Sequence, residues 1–198
     1  MITQAAKVIS EGGVIAFRTD TFYGLGADPF NTLAVAKVRA LKGREENKPI
    51  LLLLAGASLV DRFIADRSAA FDEVAKKFWP GPLTIIGRAV PELSVEITAG
   101  TGTVGVRVPA DVNVREFVRE CGGALTATSA NPSGREPARS AKEVRDYFGD
   151  LIDLVIDGGE VTATEPSTVL DVTTSPMTII RKGAADLPGL RRIIELGS

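Results

Sequence analysis

Histidine is absent from the 198-residue chain. The usual proton shuttle near neutral pH and the commonest metal ligand are therefore missing, and every serine or cysteine triad built on imidazole is excluded. Cysteine is almost absent too: Cys121 stands alone, so no internal disulfide can form and no Cys/His cluster exists to hold zinc. A reducing, cytoplasmic setting is the expectation. No apolar run approaches the roughly 18 residues that a membrane-spanning helix needs. The amphipathic segment after Met1 has neither a long apolar stretch nor a cleavage-like site, so neither export nor membrane insertion is expected. Positive charge is not in excess either, 23 Lys and Arg standing against 25 Asp and Glu for a net charge of -2. A surface that attracts nucleic acid everywhere is excluded, and a local basic groove is left open. Chemistry in this chain must run on cations, hydroxyls, carboxylates or a bound metal.

What is present is an ordinary globular composition, 44% hydrophobic and 24% charged, in a length suited to one continuous core. Residues 1–198 read as a single α/β domain with about seven or eight strands and no repeat, low-complexity tract or linker. Ile2, Ala5, Ala6 and Ile9 fall at helical spacing before Gly12-Gly13. Val14 to Phe17 reads as a buried strand that enters a hydroxyl-rich loop, Arg18 to Gly26, whose glycines allow close approach of backbone to a ligand. Thr19 and Asp20 fit a plain turn equally well. With Asn31 or Thr32 as N-cap, Leu33, Ala36, Ala40 and Leu41 mark the apolar face of a helix that stops at Gly43. Further helices are expected over Ala57 to Asp61, Arg67 to Trp79, Asp111 to Gly122 and Ser140 to Phe148. Strands are expected over Ile50 to Leu54, Leu83 to Ile86, Val104 to Val108, Ala124 to Ala127, Leu151 to Ile156, Val169 to Val172 and Thr178 to Ile180. Trp79 reads as a core or lid residue ahead of a base-stacking platform.

Three of the apolar runs stop at small clusters of cations or hydroxyls. These are Lys42-Gly43-Arg44, Arg107 to Ala110, and Thr128-Ser129-Ala130-Asn131. Brought together they would form an anion site. Lys42 and Arg44 also fit the solvated end of a helix, where the dipole favours cations. Arg107 interrupts an apolar strand, so it either faces solvent or reaches a specific anion, because burying it unpaired is prohibitive. Arg18 to Gly26 and Thr128 to Ala138 are the segments whose glycine, proline and hydroxyl content suggests mobility.

Six motifs in order carry a resemblance: Thr19 to Gly26, Lys42-Gly43-Arg44, Val106 to Pro109, Thr128 to Gly134, Pro166 to Asp171 and Ile180 to Gly183. The chain resembles the YrdC-like family, the threonylcarbamoyl-AMP synthases, over nearly its whole length. The resemblance implies a twisted, open, mixed sheet flanked by helices with a concave positive groove. It also implies an enzyme that joins ATP, L-threonine and bicarbonate into threonylcarbamoyl-AMP and pyrophosphate, for threonylcarbamoyl modification of tRNA. Carried over by residue, Lys42, Arg44, Thr103, Ser129, Asn131 and Arg181 would hold ATP, and Thr19, Arg107 and Ser167 would hold threonine. Lys42, Arg44 and Arg107 would carry the catalytic charge, and Mg2+ would arrive with the ATP.

Arg18 stands where many relatives have proline, and Leu53 where some have histidine. The chain resembles the short form of the family, without a further C-terminal domain, which hands its product to a separate tRNA threonylcarbamoyl transferase complex. Two other readings stay open. One is a module that binds double-stranded RNA or tRNA in the same groove. The other is a related adenylating domain with a different substrate, such as carbamoyl phosphate.

Overall fold

The computed structural model describes residues 2–43, 48–185 and 187–196. Helix α1 (Ile2–Ser10) buries Ala5 and Ile9. It ends where Gly12, at φ 81, lets Gly13 N reach back to Val8 O, a left-handed stop that suits glycine. Strands β1 (Ile15–Arg18) and β2 (Tyr23–Gly26) then form an antiparallel hairpin. The expected loop from Arg18 to Gly26 is thus shorter than its composition suggests. Its turn is Thr19 to Phe22, and both glycines lie in β2. A Cβ on Gly26 would stand 2.8 Å from Phe17 Cε1, so that glycine makes room for a core ring.

Asn31 caps α2 (Thr32–Lys42) by accepting from Ala34 N, and Gly43 closes it at φ 92. Its inward face differs from the expected one. Ala34, Val35, Val38 and Lys42 are buried, while Leu33 is 82% exposed. The helix carries two overlapping weak stripes, and docking selects the one that takes Val35 and Val38 into the core and Lys42 to the sheet. After β3 (Leu52–Leu54) come a 3-10 turn (Ala57–Arg62) and α3 (Ala69–Phe78). Strand β4 (Leu83–Arg88), the one-turn α4 (Val95–Thr98) and β5 (Thr103–Arg107) follow. Asp111 caps α5 (Val112–Glu120), which leads to β6 (Ala124–Thr126) and β7 (Thr128–Ser129). At the start of α6 (Ala141–Phe148), Ser140 Oγ accepts from Glu143 N and Glu143 Oε2 from Arg139 N. The described chain closes with β8 (Leu154–Val155), β9 (Thr168–Asp171), β10 (Thr178–Arg181) and α7 (Leu187–Leu196). That last helix has no counterpart among the expected elements. The ten described strands exceed the expected number because β2 and β7 lie in segments whose composition reads as loop.

The strands make two mixed sheets, one ordered β7-β2-β1-β8 and the other β10-β9-β4-β5-β3-β6. Parallel pairs β1/β8, β3/β5 and β4/β9 sit among antiparallel neighbours. Alternation along the larger sheet divides its residues cleanly. Val104, Val106, Leu83, Ile85 and Leu170 enter the main core with Phe63 and Phe71. Thr103, Gly105, Arg107, Thr84, Ile86 and Val169 face the other way, onto a cavity. A second apolar cluster, with Phe17, Leu53, Val114 and Val118, packs α1 and α5 beside that cavity face. Trp79 donates from Nε1 to Leu83 O and packs edge-on against Phe71, so it belongs to the core.

Candidate active site

The cavity has a volume of about 720 Å³ and lies between the larger sheet, the β1–β2 turn and the segment after β7. Strand β5 supplies its floor at every second residue: Thr103, Gly105 and Arg107. Arg107 is buried, and its Nη1 donates to Asp20 Oδ1 at 2.9 Å. Asp20 Oδ2 accepts from Ala110 N at 3.2 Å. The anion that Arg107 reaches within the protein is therefore the carboxylate of the β1–β2 turn. Burial pulls the Arg107 guanidinium below its ordinary pKa, and the charge and hydrogen bond of Asp20 oppose that fall. Thr19 lines the same wall, but its hydroxyl is spent on the turn. Oγ1 donates to Phe22 O at 2.6 Å and accepts from Thr21 N and Phe22 N.

The opposite wall is built by β9 and β10. Arg181 Nε donates to Ser167 O and Nη2 to Ser167 Oγ, both at 3.0 Å. Burial lowers the Arg181 pKa, and the positive charge of Arg107 lowers it further. Two guanidiniums thus feel each other across the cavity. Of these two, only Arg107 has a carboxylate partner among the described residues, Asp20. An anionic ligand would relieve that repulsion.

Lys42 enters from the end of α2. It is buried, and Nζ donates to Ser129 O at 2.9 Å and Asn131 O at 2.8 Å, with Ser129 Oγ at 3.3 Å and Asn131 Oδ1 at 3.2 Å. Its ammonium ties the segment after β7 to the helix, which the reading of Lys42 as a solvated helix end did not foresee. Ser129 lines the cavity. Asn131 is buried behind it, its Nδ2 donating to Pro132 O and Arg135 O. Arg44 lies outside the described residues. Of the other expected site residues, Thr19, Lys42, Thr103, Arg107, Ser129, Ser167 and Arg181 all border the one cavity.

Several cavity residues carried no signal that the sequence reading used. Thr84 passed as part of an apolar β-branched run, yet its Oγ1 lies 3.0 Å from Ser167 Oγ. A hydroxyl in such a run was the available clue. Gly105 leaves the floor open: a Cβ there would stand 2.5 Å from Leu51 Cδ2 and 3.0 Å from Thr84 Cγ2. Leu53 is buried and borders the cavity. Arg18 is turned away from it, pairing with Asp111 at 3.3 Å and reaching toward Glu160 O. Among the described residues no group of three or more acidic or cysteine side chains could hold a metal ion.

A family model covering the Sua5, YciO and YrdC proteins, described as telomere recombination, matches residues 7–183. The chain belongs to the Sua5/YciO/YrdC family. Threonylcarbamoyl-AMP synthase of Halorhodospira halophila is 39% identical over 170 residues, which make up 86% of this chain and 89% of that protein. The crystal structure of Pyrococcus abyssi Sua5 complexed with L-threonine superposes with a TM-score of 0.92 at 34% identity. It covers 98% of this chain, which spans only 57% of the Sua5 chain. Escherichia coli YciO matches with a TM-score of 0.84 at 25% identity, over 94% of this chain and 90% of its own. The HypF proteins share the fold at 19% identity.

Proposed function

We propose that this protein is an L-threonylcarbamoyladenylate synthase, which makes threonylcarbamoyl-AMP and pyrophosphate from ATP, L-threonine and bicarbonate. The observation that carries the reading is the cavity itself. It brings Lys42, Arg107 and Arg181 together with the hydroxyls of Ser129 and Ser167 around one space, in a chain whose relatives include threonylcarbamoyl-AMP synthases and a Sua5 solved with L-threonine.

The chemistry suits a site without imidazole. Bicarbonate and the threonine amine lose water to give an N-carboxylate. One of its oxygens attacks the α-phosphorus of ATP, an O–P bond forms, and the bond to the bridging oxygen breaks as pyrophosphate leaves. Nucleotidyl transfer of this kind asks mainly for positioning and for neutralised charge. Arg107 offers a planar fork to the threonine carboxylate while Asp20 accepts from its Nη1. Lys42, Arg44 and Arg181 would neutralise the nucleotide, with Thr103, Ser129 and Asn131 shaping its seat, and Thr19 and Ser167 would border the amino acid. Mg2+ would come as the counter-ion of ATP, held by phosphate and water, since no carboxylate cluster awaits it among the described residues. No described helix is long and apolar enough to cross a membrane. A cytoplasmic enzyme that passes its product to a tRNA-modifying transferase complex fits this reading.

The test is pyrophosphate release from ATP with bicarbonate and Mg2+, comparing L-threonine, L-serine and no amino acid. Threonine-dependent release is the expected result. Release that is absent with every amino acid, in protein that still binds ATP, would overturn the assignment.

A further inference from the structure

Thr84 is the one hydroxyl of β4, whose other residues are aliphatic, glycine and arginine. It borders the cavity and is 1% exposed. Its hydroxyl arm is engaged, and its methyl lies over the space that Gly105 leaves open. Cγ2 lies 3.0 Å from where a Cβ on Gly105 would stand, and Oγ1 lies 3.0 Å from Ser167 Oγ. Branching at Cβ restricts the χ1 freedom of such a side chain.

Counting protons then fixes the direction of the Thr84–Ser167 bond. A hydroxyl has one proton and two lone pairs, and a guanidinium can only donate. Arg181 Nη2 takes one lone pair of Ser167 Oγ. Among the described residues Ser167 is the partner of Thr84 Oγ1. Were Ser167 to donate to it, the Thr84 proton would be buried without an acceptor, which costs a full desolvation penalty. Thr84 therefore donates. Ser167 accepts twice, from Arg181 and from Thr84, and its own proton is left for the cavity.

We propose that Thr84 is a positioning residue that makes Ser167 an obligate hydrogen-bond donor, so that the substrate atom at Ser167 is an acceptor oxygen, of a carboxylate or carbonyl, and never an ammonium or N–H group. The proposal rests on the synthase reading above and specifies how its amino-acid side is read.

The test uses the full chain with Thr84→Val, Ser167→Ala, the double variant and Thr84→Ser. It reads the L-threonine Kd by calorimetry and the KM for threonine and for ATP by pyrophosphate release. Thr84→Val should raise the threonine Kd and KM about three- to tenfold, the worth of one oriented hydrogen bond, and leave the ATP KM unchanged. Thr84→Ser should restore both to within about twofold of wild type. Adding Thr84→Val to Ser167→Ala should change nothing further, because Thr84 acts through Ser167. Wild-type affinity in Thr84→Val, or losses that multiply in the double variant, would overturn the proposal. Should Thr84→Val fail to fold, Thr84→Ala against Thr84→Ser carries the same comparison, with equal affinities as the adverse result. Wild-type protein that ignores threonine would sink the synthase reading first, and this proposal with it.

Discussion

Arg107 is held by the protein before any substrate arrives. Its side chain is 6% exposed and that of its partner, Asp20, 14%. Removing one partner of such a pair leaves the other buried and uncompensated. Arg107→Ala should therefore lower unfolding stability by about 3–5 kcal/mol and abolish threonine-dependent turnover. Adding Asp20→Ala should return part of the stability and none of the activity, as chemical denaturation and pyrophosphate release on both variants would show. A double variant that regains turnover would remove Arg107 from the site. Cys121 gives a pH prediction of a different kind. Burial pushes its thiol from an ordinary 9.0 up to about 11. Raised in the folded state, this group contributes stability that is complete below about pH 9 and is lost as pH rises toward 11. Cys121→Ala should flatten that alkaline limb of the stability curve, and native Cys121 should resist alkylation at pH 8 until denaturant is added.

At the scale of elements, β5 and β9 shape the site by alternation and by close approach. Gly183, just past β10, lies against the backbone that presents Ser167. A Cβ there would clash with Pro166 O and would come within 2.7 Å of Ser167 C and 2.8 Å of Ser167 O. Those are backbone atoms and cannot swing aside. Gly183→Ala should cost about 1–3 kcal/mol and raise the threonine KM, because Thr168 Oγ1 now anchors the segment by accepting from Gly183 N and Ala185 N. Thermal melting and steady-state kinetics on that variant check both halves, and an unchanged threonine KM would detach the β10 end from the site.

At the scale of the whole molecule, the two sheets are joined at Thr126 rather than merely packed. Ala27 N donates to Thr126 Oγ1 at 2.9 Å, Thr126 Oγ1 donates to Leu25 O at 3.0 Å, and Thr126 N donates to Ala27 O at 3.0 Å. Thr126→Val keeps the shape and strands a buried donor and acceptor, so it should cost about 2–4 kcal/mol. Because the hairpin that carries Asp20 is held through this joint, the same variant should lose threonine affinity as well as stability. Calorimetry alongside urea denaturation would separate the two effects, and full threonine affinity would show that the sheets keep their relation without Thr126.

Much of this was legible in the chain alone. Caps at Asn31, Asp111 and Ser140, glycine stops, and periodicity act within a few residues, so most of the element order and the α/β class followed from local rules. The absence of histidine confined the chemistry to cations, hydroxyls, carboxylates or a bound metal, and six ordered motifs pointed to one family. Other features depend on partners far along the chain, and only the tertiary structure decided them. Asp20 meets Arg107 across 87 positions, Thr84 meets Ser167 across 83, and Lys42 reaches Ser129 across 87. The inward face of α2 belongs with these, since weak stripes do not choose a side until the sheet is there to dock on. Strand register across crossovers sets which side chains share a face, and a single-residue slip would turn every one of them away from the cavity.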